Sequence, residues 1–204
     1  MNKKYNNIFW YYGSSKNEFR ENNLTKATGN IIHYLYSYKD EETSKIAEEL
    51  IKTLFLKLFF RSDMKEFKYK RLRFQEAANT RKITKKQKYN ITDQKDRIID
   101  AIVEFETSSK VVTIGIESKL DADINLKQLE DEYNQLKNGE TKNVKLLLLA
   151  PEEKLIEKKT CNALRHLQKK TGKNFKWLSW EKVYLIVERI KKKNEKKNKE
   201  NMLC

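Results

Sequence analysis

Cysteine, histidine, proline and glycine are all scarce in this chain of 204 residues, and each shortage excludes a class of protein. The 2 cysteines and 2 histidines are too few for a disulfide framework or a structural zinc site. With only 5 glycines and 1 proline, the sequence contains no Gly/Pro-rich linker. We therefore expect a single domain of ordinary size over residues 1–190.

Long apolar stretches are also missing. The most apolar segment, Leu54 to Phe60, is too short to cross a bilayer and is interrupted by Lys57. No stretch near the start has the apolar core of a signal peptide. These absences predict a protein without a membrane partner that works in a reducing compartment, cytoplasmic or otherwise intracellular.

Positive charge is what the sequence has in excess. Lysine and arginine total 44 against 29 aspartates and glutamates, for a formal net charge of +15. This balance favours a polyanionic partner such as nucleic acid, although a biased genome composition would also enrich lysine and asparagine throughout. Residues 191–204 are interpreted as a basic C-terminal tail, either a frayed helix end or a disordered segment. The basic residues expected to face nucleic acid are Arg81, Lys82, Lys85, Lys86 and Lys88, with Lys68, Lys70, Arg71 and Arg73 as further candidates.

The spacing of apolar residues predicts an α/β domain. The order of helices and strands fits a central mixed β-sheet of about four to five strands flanked by helices. Helices are expected over residues 16–38, 41–60, 121–137 and 151–170 and after Ser179, and strands over 65–75, on both sides of 107–110, over 144–149 and over 175–178.

The most informative segment is a β-hairpin predicted between residues 98 and 119. Successive side chains of a strand point to opposite faces, so Glu117 and Lys119 share one face. A turn at 107–110 would set Glu106 opposite Val111 and, by the same register, Asp100 opposite Glu117. A slip by one residue would instead place the two carboxylates on opposite faces.

Two like charges held directly opposite each other destabilise a sheet unless something offsets their repulsion. A divalent cation between Asp100 and Glu117 would do so, and the ammonium of Lys119 beside it could orient or help to deprotonate a water molecule. A Glu-x-Lys triplet is common by chance in a chain that is 36% charged, so its position at the end of an apolar strand is what makes it informative.

The arrangement Ile99-Asp100 followed by Glu117-Ser118-Lys119 resembles the PD-(D/E)XK nuclease superfamily, with isoleucine in place of the proline of its first motif. The resemblance implies a restriction-endonuclease-like core and a Mg²⁺ or Mn²⁺ ion held by Asp100, Glu117 and the backbone carbonyl of Ser118. It also implies that Asp100, Glu117 and Lys119 are catalytic.

Two further residues come from the same resemblance. Glu21 matches a glutamate of the first helix that often approaches the metal site, which would make it a further catalytic residue. A solvated residue in a first helical turn is the alternative. Gln128 matches a glutamine found in several branches on the helix after the second motif, where it would contact nucleic acid. In those branches a tyrosine follows four residues later, whereas Tyr133 is five residues on, and a solvent-facing Gln128 is the alternative.

The expected function is Mg²⁺-dependent endonucleolytic hydrolysis of DNA, in preference to RNA, with a role in defence, restriction or repair. Pairing as a homodimer is a further implication of the resemblance. A nucleic-acid-binding module without catalysis, serving a larger assembly, is the main alternative, and a protein-interaction domain with an acidic partner is the third.

Overall fold

A computed structural model of the protein describes residues 40–60, 66–77, 98–120, 123–138 and 143–202. A π-helical turn, Lys52–Leu56, continues the first of the described helices. The elements are α1 Glu41–Ile51, β1 Lys68–Ala77, β2 Ile98–Glu106, β3 Val111–Ser118, α2 Leu126–Asn138, β4 Asn143–Ala150, α3 Glu152–Ile156, α4 Lys158–Lys170, β5 Phe175–Ser179 and α5 Trp180–Met202.

The five strands form one mixed sheet in the order β1-β2-β3-β4-β5. The pairs β1/β2 and β2/β3 are antiparallel, whereas β3/β4 and β4/β5 are parallel. The predicted α/β fold with a mixed sheet flanked by helices is therefore confirmed. Because β3, β4 and β5 run in the same direction, their carboxyl ends meet at one edge of the sheet, beside the start of β2.

Both faces of the sheet are covered, which explains why β3 and β4 are apolar almost throughout. On one face, Ile114 and Leu147 pack with residues of α1, the π-helical turn and α5. On the other face, Leu146 and Leu148 pack with residues of α2, α3 and α4.

The turn that connects β2 and β3 is closed by a threonine. The backbone N–H of Thr107 donates to the carbonyl of Lys110 at 2.8 Å, and the Thr107 hydroxyl accepts from the backbone N–H of Lys110 at 3.2 Å. A hydroxyl that bonds its own backbone a few residues on is a known way to stabilise a turn. Thr107 thus compensates for Ser108-Ser109, which is not a favoured hairpin turn.

Three predicted helices differ in their limits from the observed ones. The helix predicted from residue 121 begins at Leu126, because the Asn125 side chain accepts from the backbone N–H of Gln128 at 3.1 Å and caps the first turn. The helix predicted over 151–170 is interrupted at Glu157, whose ψ of 125° is extended. The helix predicted over 41–60 becomes π-helical at Lys52.

The last helix begins where the sequence places it, with the Ser179 hydroxyl accepting from the backbone N–H of Lys182 at 3.2 Å. It continues through the residues assigned to a basic tail, as far as Met202. In that part Lys193 pairs with Glu49 of α1 at 2.7 Å. Whether residues 191–204 act as a separate segment stays a prediction. Among the helices within the described ranges, none combines the length and apolar character required to cross a membrane.

Candidate active site at the carboxyl end of β3

The hairpin has the register that the sequence predicts. Glu106 lies opposite Val111, and the pairing continues without a shift to Ala101 opposite Ile116. The ladder ends one step before Asp100 would face Glu117. There, Oδ2 of Asp100 accepts from the backbone N–H of Ser118 at 2.8 Å, so the carboxylate replaces the missing backbone partner.

The side chains of β2 do not alternate regularly around Asp100. Ala101 and Val103 pack in the core under α1 and α5, whereas Ile99 packs in the core under α2, together with Ile102. Regular alternation would put Ile99 on the same face as Ala101. This local irregularity accompanies the approach of the Asp100 carboxylate to the backbone of β3.

Glu117 and Lys119 form a buried ion pair, as their positions two residues apart allow. Nζ of Lys119 lies 2.8 Å from Oε1 of Glu117, whose side chain is 3% exposed. The backbone of Lys119 is held on both sides. Its N–H donates to the carbonyl of Leu149 at 2.8 Å, and its carbonyl accepts from Nε1 of Trp180 at 3.3 Å.

The amide of Gln128 reaches the site from α2 and joins two carboxylates. Its Nε2 donates to Oε1 of Glu117 and to Oε1 of Glu132, at 2.7 Å in each case. Of the two alternatives for Gln128, contact with the site is therefore the observed one, although a contact with nucleic acid stays a prediction.

Glu132 is absent from the site predicted from the sequence, yet it is fully buried, at 0% exposure. Residues four apart on a helix are neighbours on one face. The four-residue spacing between Gln128 and Glu132 could therefore have indicated that Glu132 belongs to the site. It is the position at which several branches of the superfamily have tyrosine.

Burial and nearby negative charge change the ionisation of both glutamates. Burial, and then the nearby charge of Asp100, raise the pKa of Glu117 to about 7, against the opposing effects of Lys119 and Gln128. Burial, and then the charge of Glu117, raise the pKa of Glu132 to about 8. The two carboxyl groups titrate as a pair, and at neutral pH the pair retains protons.

A glycine explains how α2 comes so close to the sheet. A Cβ atom on Gly115 would lie 2.6 Å from Cδ1 of Leu136, closer than side chains pack. Leu136 of α2 therefore occupies the space above Gly115. Because Gln128 and Glu132 belong to the same helix, this contact also brings their side chains over β3.

The donor atoms suit a divalent cation only in part. Within the described ranges, no three histidine, cysteine, aspartate or glutamate side chains form a cluster at ligand spacing. Oε2 of Glu117 and Oε2 of Glu132 are nevertheless buried and, among the described residues, have no hydrogen-bond partner. Carboxylate oxygens are the ligands that Mg²⁺ prefers, and one or two carboxylates suffice because the ion keeps several waters.

A buried carboxylate on β2, that of Glu104, accounts for the position of two of the basic candidates. Glu104 accepts from Nε and Nη2 of Arg71 at 2.8 and 2.9 Å and from Nη2 of Arg73 at 3.0 Å. A register shift between Tyr69 and Arg71 makes this contact, since it reverses the alternation of side chains on β1.

Burial alone would raise the pKa of Glu104, but the hydrogen bonds and charge of Arg71, with those of Arg73, lower it below its ordinary value. Both arginines are engaged within the fold. Lys70 is exposed and lies 3.6 Å from Glu106.

The remaining predicted site residues cannot be placed. Glu21 and the basic cluster Arg81, Lys82, Lys85, Lys86 and Lys88 lie outside the described residues. Asp100, Glu117, Ser118, Lys119 and Gln128 all lie together at the carboxyl end of β3.

Comparison of the chain with protein-family models, with curated proteins and with solved structures gave no match.

Proposed function

We propose that the protein is a metal-dependent nuclease that hydrolyses phosphodiester bonds of DNA, with a site like that of the PD-(D/E)XK superfamily. The observation that carries the proposal is the meeting of Asp100, Glu117 and Lys119 at the end of the hairpin. Oδ2 of Asp100 bonds the backbone of Ser118, and Lys119 lies 2.8 Å from Glu117. In open α/β sheets, ligands bind outside the carboxyl ends of the strands, where this group lies.

Lys119 supplies positive charge next to the acidic groups. Phosphodiester hydrolysis builds negative charge on the phosphate oxygens, and a fixed ammonium stabilises that charge more strongly in a partly buried site than in water. The hydrogen bonds from Lys119 to Leu149 and from Trp180 to Lys119 fix the backbone from which the ammonium extends. We therefore assign to Lys119 the role of orienting a water and stabilising the reacting phosphate.

Asp100 and Glu117 are the residues that would hold Mg²⁺ or Mn²⁺, with the carbonyl of Ser118 as a further ligand by the resemblance. A bound ion would supply Lewis-acid stabilisation of the phosphate and a more acidic water. Glu117 would release its retained proton on binding the cation, because a ligating carboxylate must be ionised.

The test is cleavage of supercoiled plasmid and linear duplex DNA by the purified protein with Mg²⁺ or Mn²⁺. We expect Asp100→Asn, Glu117→Gln and Lys119→Met each to lower the cleavage rate by about a hundredfold or more, the usual loss when one group that stabilises a transition state is removed. Undiminished cleavage in any of the three variants would refute the role assigned to that residue.

Matched controls are available on α2. Glu130→Gln and Lys127→Met make the same chemical changes at positions where Glu130 pairs with Lys170 and Lys127 is exposed. Both controls should cleave DNA at the rate of the unsubstituted protein. Circular dichroism of every variant separates loss of catalysis from loss of folding.

A nucleic-acid-binding module without catalysis is the second candidate. The net charge of +15 favours binding to nucleic acid with or without catalysis. Two observations favour the absence of catalysis: Lys119 is engaged in an ion pair with Glu117, and the described part of the chain shows no cluster of three metal-ligating side chains. Salt-sensitive DNA binding without cleavage in either metal would support this candidate against the nuclease.

A further inference from the structure

Glu132 is a buried acid without a basic partner in the described part of the chain. Its side chain is 0% exposed, and its hydrogen-bond partner is the amide of Gln128. Among the described residues, no lysine or arginine forms an ion pair with it. A buried carboxylate is costly unless it is paired, coordinates a metal or takes up a proton, so the ionised form of Glu132 next to Glu117 needs a cation beside it.

The bonding of the two glutamates is symmetric. Each accepts, at its Oε1, a hydrogen bond of 2.7 Å from the same nitrogen of Gln128. Each keeps an Oε2 that is buried and has no partner in the described part of the chain. The amide thus fixes one oxygen of each carboxylate and leaves the other oxygen of each without a donor.

The balance of charge in this cluster also points to a cation. Asp100, Glu117 and Glu132 act on one another electrostatically, and Lys119 is the ammonium whose charge acts on both glutamates. Lys119 already bonds Oε1 of Glu117 and not Oε2. A divalent cation would replace the protons that the two glutamates retain, offset the negative charge of their ionised forms and supply a partner for both buried oxygens.

We propose that Glu132 is a further carboxylate ligand of the divalent cation, beside Glu117, and that Gln128 positions both side chains. The inference rests on the proposed function, since it assigns a further residue to the same metal site. It extends that function by drawing a ligand from α2, outside the hairpin that carries Asp100 and Glu117.

The experiment is a titration of the full chain with Mn²⁺ in the absence of DNA, with the heat of binding measured by isothermal titration calorimetry. Glu132→Gln keeps the shape of the side chain and an oxygen that accepts from Gln128 but removes the charge. We expect it to weaken Mn²⁺ binding at least tenfold and to remove most of the rise in melting temperature that Mn²⁺ produces. Glu130→Gln, a partly exposed position of the same helix where the carboxylate pairs with Lys170, should bind Mn²⁺ normally.

A second variant guards against a folding defect. Glu132→Asp retains the carboxylate on a shorter side chain and should recover part of the affinity that Glu132→Gln loses. Melting in EDTA shows whether each variant is folded before metal is added.

The outcomes separate this inference from the nuclease proposal. Mn²⁺ binding of unchanged affinity in Glu132→Gln would overturn the inference even if the protein cleaves DNA. Absence of any Mn²⁺ binding by the unsubstituted protein would overturn it as well. Mn²⁺ binding that depends on Glu132, in a protein that leaves DNA intact, would support the metal ligand and refute the nuclease.

Discussion

Glu117 and Glu132 illustrate how the surroundings of a side chain set its chemistry. In solution both carboxyl groups would be ionised at neutral pH. In the fold, burial and the proximity of like charge favour the neutral form, and the pKa values rise to about 7 and about 8. The two residues therefore bind protons in the folded state over a pH range in which the unfolded chain does not.

This difference predicts how stability depends on pH. A raised carboxyl pKa means that the folded state binds more protons than the unfolded state, so the free energy of unfolding falls as the pH rises from about 4.5 toward 8. In EDTA we expect a loss on the order of 5 kcal/mol between pH 5.5 and pH 8.5, since the two pKa values together lie about four units above the lower pH and each unit corresponds to about 1.4 kcal/mol.

Urea unfolding at a series of pH values measures this dependence. Glu132→Gln should remove the part of the dependence that Glu132 causes, whereas Glu117, whose pKa is raised by burial and by Asp100, should keep the rest. A dependence of equal size in the variant would show that other groups cause it.

The helix α2 brings the second half of the site to the first. Cδ1 of Leu136 occupies the space that a Cβ on Gly115 would need, 2.6 Å away. Leu129 and Tyr133 of the same helix are also buried against the sheet. The position of Gln128 and Glu132 over Glu117 thus depends on packing several residues away from the acidic cluster.

A double-mutant cycle tests this contact. Gly115→Ala alone should cost about 1–3 kcal/mol of unfolding free energy, because Leu136 must move, and Leu136→Ala alone about 2–5 kcal/mol, because it leaves a cavity. The double variant should lose less than the sum, since the smaller side chain makes room for the new methyl group. Strictly additive losses in urea unfolding would mean that the two residues do not meet.

The whole chain is strongly basic, with a formal net charge of +15. Part of the basic surface is engaged internally, as Arg71 and Arg73 are with Glu104. Lysines along α5 such as Lys191 and Lys192 pair with glutamates of the same helix while their side chains stay largely exposed. Exposed pairs of this kind are weak and do not prevent contact with phosphates.

Binding to DNA should therefore depend strongly on salt. If about five phosphates are neutralised, the association constant should fall by roughly two to three orders of magnitude between 50 and 200 mM salt. Fluorescence anisotropy of a labelled duplex, in EDTA to prevent cleavage, measures the slope. Weak binding whose association constant does not change with salt concentration would remove the electrostatic basis of the proposal and favour a protein partner.

Local chemistry fixed much of this molecule in advance. The alternation of apolar residues on β3 and the length of the turn predict the register of the hairpin, because side-chain period and loop length set it. That register brings Asp100 toward Glu117 and places Lys119 beside it. The predicted α/β architecture follows from the same periodicities, since each apolar face needs a partner to bury it.

Other features came from contacts between distant parts of the chain. The strand pairing ends at Ala101, and the backbone of Ser118 bonds Asp100 instead. Both features accompany a local irregularity of β2 that could not be predicted from the residue types. In the sequence Glu132 resembles any exposed glutamate of a helix. The packing of α2 on Gly115 is what buries it. Burial and the nearby Glu117 raise its pKa. Both depend on contacts between distant segments and so could not be predicted from the sequence around Glu132.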